Sequence, residues 1–280
     1  MNRYTAIALL LCAAGAAQAA EKNLDKTFTV TPDGLLVVDS DSASVEITGN
    51  NSNQVVVNMS AHGSDEELGK LTLDAVQNAN GVTVTMRRPK GGSWFKWGSW
   101  NAGGKIRITV PQRYRVNVQT SGEGITLADT AGAAALHTSG GDISVKRLNG
   151  TLEARTSGGG IVAETVKGDV DAKTSGGDVR LVSVDGKVSA RTSGGSVECS
   201  LVGANRGIEA RTSGGSIELT LPTGTTGALD ASTSGGDVSS DLPVTATAKS
   251  PQHLSGPING GGERIDLSTS GGSISVRAAH

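Results

Sequence analysis

The sequence has few aromatic residues for its length. Phe, Trp and Tyr make up 2% of the 280 residues, which excludes a core built on large rings. Hydrophobic residues still reach 36%, which is too high for a disordered chain. Glycine, with 40 residues, is about twice as frequent as in an average protein. Small aliphatic side chains and glycine together indicate a regular fold with a narrow interior.

An excess of charge and the spacings typical of metal sites are also lacking. The 25 basic and 27 acidic residues leave a net charge of −2, so no global field attracts nucleic acid or an anionic membrane. The histidines are scattered along the chain, and no paired cysteines accompany them: His62, His137, His253 and His280. We therefore expect no metal, no cofactor and no nucleic-acid partner.

Residues 1–19 have the pattern of a secretory signal peptide. Arg3 supplies the positive start, an apolar run follows, and Ala17-Gln18-Ala19 is a small-x-small cleavage site. The run is too short to span a bilayer, so we expect no transmembrane segment in the mature chain. Lipidation of Cys12 is disfavoured, because Leu11 stands where that processing requires a small residue. The pattern predicts an exported protein that is periplasmic, outer-envelope-associated or secreted.

Loss of the signal peptide would leave Cys199 as the single thiol of the chain. An intramolecular disulfide is then excluded, although disulfides form readily in export compartments. Cys199 falls in a column of inward-facing apolar residues, so we expect a small buried side chain rather than a reactive thiol.

A tetrapeptide organises most of the sequence. Thr-Ser-Gly-Gly, or a near copy, begins at eight threonines: Thr120, Thr138, Thr156, Thr174, Thr192, Thr212, Thr233 and Thr269. A fixed period near 20 residues is typical of stacked repeat folds. Since the last interval is twice the common one, we expect one turn of the repeat to have lost its signature.

The repeats align into alternating apolar and polar columns, which is the two-residue period of a half-buried strand. One apolar column comprises Ile125, Ile143, Ile161, Val179, Val197, Ile217, Val238 and Ile274. A third inward position, two residues before the turn glycines, comprises Leu148, Val166 and Val184. The pattern predicts an all-β fold, a single-stranded parallel β-solenoid (β-helix) with 18-residue coils over residues 116–280. Alternation places each corner threonine inside, and the outward acids and bases form a charge-balanced wall.

Two segments depart from the repeat. Residues 20–115 contain strand-like stretches without the motif and are interpreted as an irregular N-terminal capping part, in which Asp65 to Leu73 form a short helix or a loop. The stretches are Thr27 to Val30, Leu35 to Val38, Val45 to Ile47, Val55 to Met59, Val82 to Met86 and Ile106 to Val110. The second segment, residues 241–262, carries three prolines and is predicted to be an insertion that bulges out or folds over the last coil.

All three tryptophans lie in one basic segment within residues 87–104, between two predicted strands. We expect a long hairpin loop there, with a candidate binding surface formed by Arg87, Arg88, Lys90, Trp94, Phe95, Lys96, Trp97 and Trp100. Such rings stack on sugars, sit at a bilayer interface or anchor a protein contact. The alternative is that the rings fold down and plug the end of the solenoid.

Catalytic patterns are weak. Asp142 and Asp178 follow the corner glycines, but the matching positions hold Gly160, Ser196 and Ser216. Two carboxylates that are two repeats apart do not make the clustered acid pair that glycoside hydrolysis requires. We therefore expect a protein that is not an enzyme, with no catalytic residues and no metal ligands.

The repeated Thr-Ser-Gly-Gly-Asp/Ser-Ile/Val, as in Thr138 to Ile143 and Thr174 to Val179, resembles the putative-adhesin β-strand-repeat family of unknown function found behind bacterial signal peptides. The stretch from Ile106 to Gly122 is also similar to that family. The resemblance implies a β-solenoid at the cell envelope that acts as a non-enzymatic, adhesin-like or envelope-binding module. Envelope glycan, a lipid surface or an envelope protein are the partners it implies. A structural or regulatory envelope protein and, more distantly, a carbohydrate-active enzyme are the alternatives.

Overall fold

The structure is a computed structural model that describes residues 20–88 and 103–279, and nearly all of its regular elements are β-strands. The strands form two large sheets, sheet A with 12 strands and sheet B with 13. Most of the strand pairs are parallel. The predicted all-β, solenoid-like fold class is therefore confirmed.

The N-terminal part holds seven strands and the only helix of the described residues. These are β1 (Ala20–Thr29), β2 (Leu35–Ser40), β3 (Ala43–Asn50), β4 (Gln54–Gly63), α1 (Asp65–Lys70), β5 (Thr72–Asn78), β6 (Gly81–Arg87) and β7 (Gly103–Pro111). The helix begins at a capping box, in which the side chains of Ser64 and Glu67 bond to each other's backbone N–H. Five of the six predicted strands lie within these elements, and the sixth, Thr27 to Val30, extends one residue beyond β1. The stretch predicted as a short helix or a loop, Asp65 to Leu73, begins with helix α1.

In the central part each strand of sheet B is followed by a strand of sheet A, and we call such a pair a coil. The sheet-B strands are β8 (Arg115–Gln119), β10 (Ala134–His137), β12 (Leu152–Arg155), β14 (Val170–Lys173), β16 (Val188–Arg191) and β18 (Ile208–Arg211). The sheet-A strands are β9 (Ile125–Ala131), β11 (Ile143–Asn149), β13 (Ile161–Lys167), β15 (Val179–Asp185), β17 (Val197–Leu201) and β19 (Ile217–Leu221). Equivalent residues pair, as Ile143 does with Ile161.

The C-terminal part contains the remaining strands. These are β20 (Gly227–Thr233), β21 (Val238–Ser240), β22 (Ala248–Ser250), β23 (His253–Ile258), β24 (Arg264–Thr269) and β25 (Ile274–Ala278). Sheet A runs in the order β1-β4-β7-β3-β9-β11-β13-β15-β17-β19-β25-β21. Sheet B runs in the order β22-β23-β20-β24-β18-β16-β14-β12-β10-β8-β2-β6-β5.

The apolar columns fill the space between the sheets. Ile143, Ile161 and Val179 are at most 1% exposed, and Val238 of the terminal strand β21 is half-buried. Leu148, Val166 and Val184 are also buried, as predicted. They point inward because the residue before each has a left-handed backbone that bends the sheet-A strand: Arg147, Thr165 and Ser183, with φ of 55°, 60° and 58°.

The Thr-Ser-Gly-Gly corners join sheet B to sheet A, and their threonines point inward as predicted. The Oγ1 of Thr156 donates to the carbonyl oxygen of Gly141 in the preceding coil at 2.9 Å, and that of Thr174 donates to Gly159 at 2.7 Å. The second glycine of each corner lies directly against the corner before it. A Cβ atom on Gly177 would lie 2.3 Å from the carbonyl oxygen of Gly159, so no side chain fits there.

The corner geometry predicts different costs for two glycine substitutions. Gly177→Ala forces two stacked corners apart and should lower the free energy of unfolding by about 1–3 kcal/mol, the usual range for overpacking. Gly122→Ala is the matched control, because a Cβ atom there meets nothing within 4 Å. Urea unfolding followed by circular dichroism measures both. Equal stability of the two variants would contradict the stacking argument.

The expectation that one turn had lost its signature is wrong. Strands β24 and β25 insert between the coil of β18 and β19 and the coil of β20 and β21, so the last coil in the chain is not the last in the stack. The hydrogen bonds follow that order, since Thr269 donates to Gly215 and Thr233 donates to Gly272. The long interval in the sequence holds the hairpin of β22 and β23 instead of a missing coil.

The N-terminal end repeats this arrangement in reverse. In sheet B strand β2 lies between β6 and β8, and in sheet A strand β3 lies between β7 and β9, although β6 to β9 all come later in the chain. Antiparallel strands then cover the outer edges: β5 pairs with β6, and β4 and β1 follow β7. Side chains bridge the two edges, because the Nζ of Lys22 donates to the carbonyls of Leu68 and Leu71 and that of Lys26 donates to Ala75. Inward-pointing charges of this kind discourage edge-to-edge association.

At the other end the insertion covers the core. Strand β23 pairs antiparallel with β20, β22 pairs with β23, and the buried side chains of Leu242, Leu254 and Ile258 pack onto the core.

Removing residues 241–262 would expose the edge of β20 and apolar surface beneath it. We expect this deletion variant to self-associate, because an uncovered strand edge pairs with other chains. Light scattering tests this, with circular dichroism as a check of β-structure. A folded variant with the mass of a monomer would contradict it.

Candidate functional site

The predicted aromatic and basic site is only partly within the described residues. Arg87 is the last residue of strand β6, and Arg88 follows it. The other six predicted residues lie outside the described ranges: Lys90, Trp94, Phe95, Lys96, Trp97 and Trp100. The guanidinium of Arg87 forms an ion pair with Asp39, and the backbone N–H of Arg88 donates to the carboxylate of Asp41 at 2.9 Å. The structure therefore brings two of the eight predicted residues together with two acids of the neighbouring coil.

The expectation of a hairpin is wrong. Strand β6 belongs to sheet B and β7 to sheet A, and the two do not pair with each other. Each is held on both sides, β6 by β2 and β5 and β7 by β3 and β4. The tryptophan segment thus makes the same sheet-B to sheet-A connection that Thr-Ser-Gly-Gly makes in the central coils. The two strands could be predicted from the sequence alone, but their assignment to different sheets could not.

The predicted charge-balanced wall is present on the outer face of sheet B. Ion pairs form one series along this face. Four of them join neighbouring coils, Arg155 with Asp171, Asp171 with Arg191, Arg191 with Glu209, and Arg211 with Asp266, and two lie within a strand, Glu153 with Arg155 and Glu209 with Arg211. His137 pairs with Glu153 at 3.4 Å at one end of the series. Because each of these arginines meets a carboxylate of its own or a neighbouring strand, repulsion between stacked arginines is offset across the sheet.

These contacts shift the pKa values of the acids. A hydrogen bond from Arg191 holds the pKa of Glu209 below its ordinary value of 4.5, and one from Arg155 does the same for Glu153. A carboxyl whose pKa is lowered by folding contributes stability above its unfolded pKa and loses it as the pH falls through its folded pKa. The ladder therefore stabilises the protein at neutral pH and weakens in acid.

The lowered pKa of Glu209 predicts how the stability of the Arg191→Gln variant depends on pH. The variant should be less stable than the wild type at neutral pH by roughly 0.5–1 kcal/mol, the range for partly exposed pairs. The difference should shrink as the pH is lowered from neutral into the acid range, because protonation of the Glu209 carboxyl removes this ion pair from the wild type as well. Urea unfolding across this pH range measures it, with Lys173→Gln as the control, since Lys173 has no ion pair among the described residues. A pH-independent difference would contradict the argument.

The two acids weighed as a catalytic pair are engaged with the fold. Oδ1 of Asp142 accepts from the N–H of Gly160, and that of Asp178 accepts from Ser196, both at 2.7 Å. At the later corners the Oγ of Ser196 and of Ser216 accepts in the same way. Their common role is to accept the amide N–H of the next coil, which explains why both Asp and Ser occur in this column.

Chemically reactive groups are few among the described residues. No group of three or more His, Cys, Asp or Glu there could hold a metal ion. Cys199 is buried as predicted, and burial raises the pKa of its thiol to about 12. A thiol with so high a pKa is protonated at neutral pH and is a poor nucleophile.

Sequence reasoning missed a groove on the outer face of sheet B. It lies beside the first residues of the strands that follow the turn glycines. Its volume is about 530 Å³, and its floor is formed by Ala133 and Ala135 of the β10 coil. The neighbouring coils hold larger residues at these positions, Arg115 and Asn117 on one side and Thr151 and Glu153 on the other. The available signal was this pair of alanines within columns of polar residues.

A search of the described ranges for membrane-spanning helices finds none that is both long and apolar enough.

Comparison with known proteins gives one family and several distant structures. The Toastrack DUF4097 family matches residues 35–277. A putative adhesin from Parabacteroides merdae is 11% identical with a TM-score of 0.47, and one from Bacteroides fragilis is 13% identical with a TM-score of 0.42. A putative lipid binding protein from Parabacteroides distasonis is 14% identical with a TM-score of 0.37. Each alignment covers 92% of this chain and 97% of the other. No curated protein matches the chain.

Proposed function

The chain belongs to the Toastrack DUF4097 family, in keeping with the resemblance drawn from its repeated corners, and from that premise we propose that it is a non-enzymatic, adhesin-like module that binds the cell envelope. In this proposal residues 1–19 direct export. Residues 116–280 form a single-stranded β-solenoid with 18-residue coils, in which residues 241–262 are an insertion. Residues 20–115 cap the solenoid.

The observation that supports a binding role is the anchoring of the tryptophan segment. Its ends are fixed by Arg87 with Asp39, by the Arg88 amide with Asp41, and by strands paired on both sides. The connection from sheet B to sheet A that has four small residues in the central coils contains four aromatic and four basic residues here, between Arg87 and Trp100. We propose that Trp94, Trp97 and Trp100 contact the ligand and that Lys90 and Lys96 add attraction for anionic groups.

Tryptophan fluorescence tests this proposal without a label, because the three tryptophans all lie in this segment. We expect red-shifted emission in buffer and a blue shift with vesicles that contain anionic lipid or with cell-wall glycan. Co-sedimentation should fall at least tenfold in the triple variant Trp94→Ala, Trp97→Ala, Trp100→Ala. The control variant Ser93→Ala, Ser99→Ala alters the same segment without removing a ring and should bind like the wild type.

Two results would count against the proposal. Blue-shifted emission that neither addition changes would mean that the rings are packed against the protein. Unchanged co-sedimentation of the triple variant would place binding elsewhere on the surface.

A further inference from the structure

The groove over Ala133 and Ala135 is a break in an otherwise regular charged wall. The ion-pair series lies on β12 and the coils beyond it, whereas both outward positions at the start of β10 are alanine. Ala133 is exposed and Ala135 half-buried, so their methyl groups form an apolar floor at the surface. Leu35 of strand β2 lines the same groove on the far side of Arg115, with which it pairs.

Three charged residues along the groove have no ion-pair partner among the described residues. They are Arg115 at one end, Asp169 further along and Lys187 at the other end. Oδ1 of Asp169 accepts the backbone N–H of Lys187 at 2.9 Å, and no cationic side chain of the described residues lies within ion-pair distance of this carboxylate. The other acids of the groove, Glu153 and Asp171, are already paired with Arg155. The free charges of the groove therefore run positive, negative, positive.

The spacing of these groups follows from the stacking of the coils. β8, β10, β12, β14 and β16 are consecutive neighbours in sheet B. At about 4.8 Å per strand, the alanine floor begins about 5 Å from Arg115, Asp169 follows at about 14 Å and Lys187 at about 19 Å. In an extended polypeptide, side chains on one face are about 6.7 Å apart, so four of them fall at about 0, 7, 13 and 20 Å.

We propose that this groove binds an extended polypeptide segment that presents an acidic, an apolar, a basic and an acidic side chain at alternate positions. The acids meet Arg115 and Lys187, the apolar side chain covers Ala133 and Ala135, and the basic side chain meets Asp169. The carboxylates between the two cations disfavour a polyanion or an anionic lipid in the same place. No lining residue of the groove belongs to the tryptophan segment, so the two proposals can fail independently.

A labelled heptapeptide, acetyl-Glu-Ser-Leu-Ser-Lys-Ser-Glu-amide, tests the proposal by fluorescence anisotropy at low ionic strength. We expect saturable binding that is at least tenfold tighter than that of the charge-inverted peptide acetyl-Lys-Ser-Leu-Ser-Glu-Ser-Lys-amide. High salt should weaken it, since screening acts on exposed charges. Equal binding of the two peptides, or no saturable binding of either, would overturn the proposal.

Variants locate the peptide on the protein. Ala135→Arg fills the floor and should weaken binding at least tenfold, whereas Ala128→Arg places the same side chain on a half-buried position of sheet A and should leave it unchanged. Asp169→Asn keeps an oxygen for the Lys187 amide but removes the charge, so it should reduce the preference for lysine at the basic position. The double variant Arg115→Glu, Lys187→Glu should gain affinity for the charge-inverted peptide.

Three outcomes of these variants would overturn the proposal. Wild-type peptide binding by Ala135→Arg is the first, and an unaltered charge preference in the double variant is the second. The third is glycan binding that Ala135→Arg abolishes while the peptide does not bind, because the groove would then belong to a different ligand class. Circular dichroism of each variant confirms that the comparison is between folded proteins.

Discussion

The structure depends on the close approach of one corner to the next. At the second corner glycine, as at Gly159 and Gly177, the space for a Cβ atom is already occupied by the backbone of the preceding coil. The hydroxyl of the corner threonine donates a hydrogen bond to a carbonyl oxygen of that same backbone. Parallel strands in register follow from this contact, because corners that touch at every coil fix the position of both strands that leave them. The repeat is therefore a condition of the packing.

Stacking in register makes every column a row of like residues, and each row must be stable against its own neighbours. Inside, rows of Ile, Val and Ala pack on themselves without difficulty. Outside, a row of arginines would repel, so acids in the adjacent columns and coils alternate with them in one continuous series. After the corner glycines, Asp142 and Asp178 accept amide N–H groups of the next coil. Carboxylates that resemble a catalytic pair in sequence are thereby part of the scaffold.

The sequence predicted what the repeat governs and failed where the chain order departs from it. Alternation of apolar and polar residues alone predicted the apolar column that contains Ile143 and Ile161. It also predicted that the corner threonines point inward and that Cys199 is buried. The placement of β24 between β18 and β20 could not be predicted in this way, because pairing between coils distant in sequence has no local signal. The same holds for β6 and β7, whose nearness in sequence suggested a hairpin although they lie in different sheets. The anchoring of Arg87 by Asp39 depends on that non-local pairing too.

Repeat packing also indicates where binding is to be sought. A coil that satisfies its own neighbours offers a partner few unmet charges, hydrogen bonds or apolar surfaces. Departures from the repeat are different, since each leaves a group that the stack does not use. The segment between β6 and β7 contains aromatic and basic residues where the central coils have four small ones. The start of β10 carries Ala133 and Ala135 where its neighbours carry polar side chains, and free charges remain beside it. Along the groove the stacked strands also fix the spacing of Arg115, Asp169 and Lys187, which makes that spacing itself a determinant of the ligand.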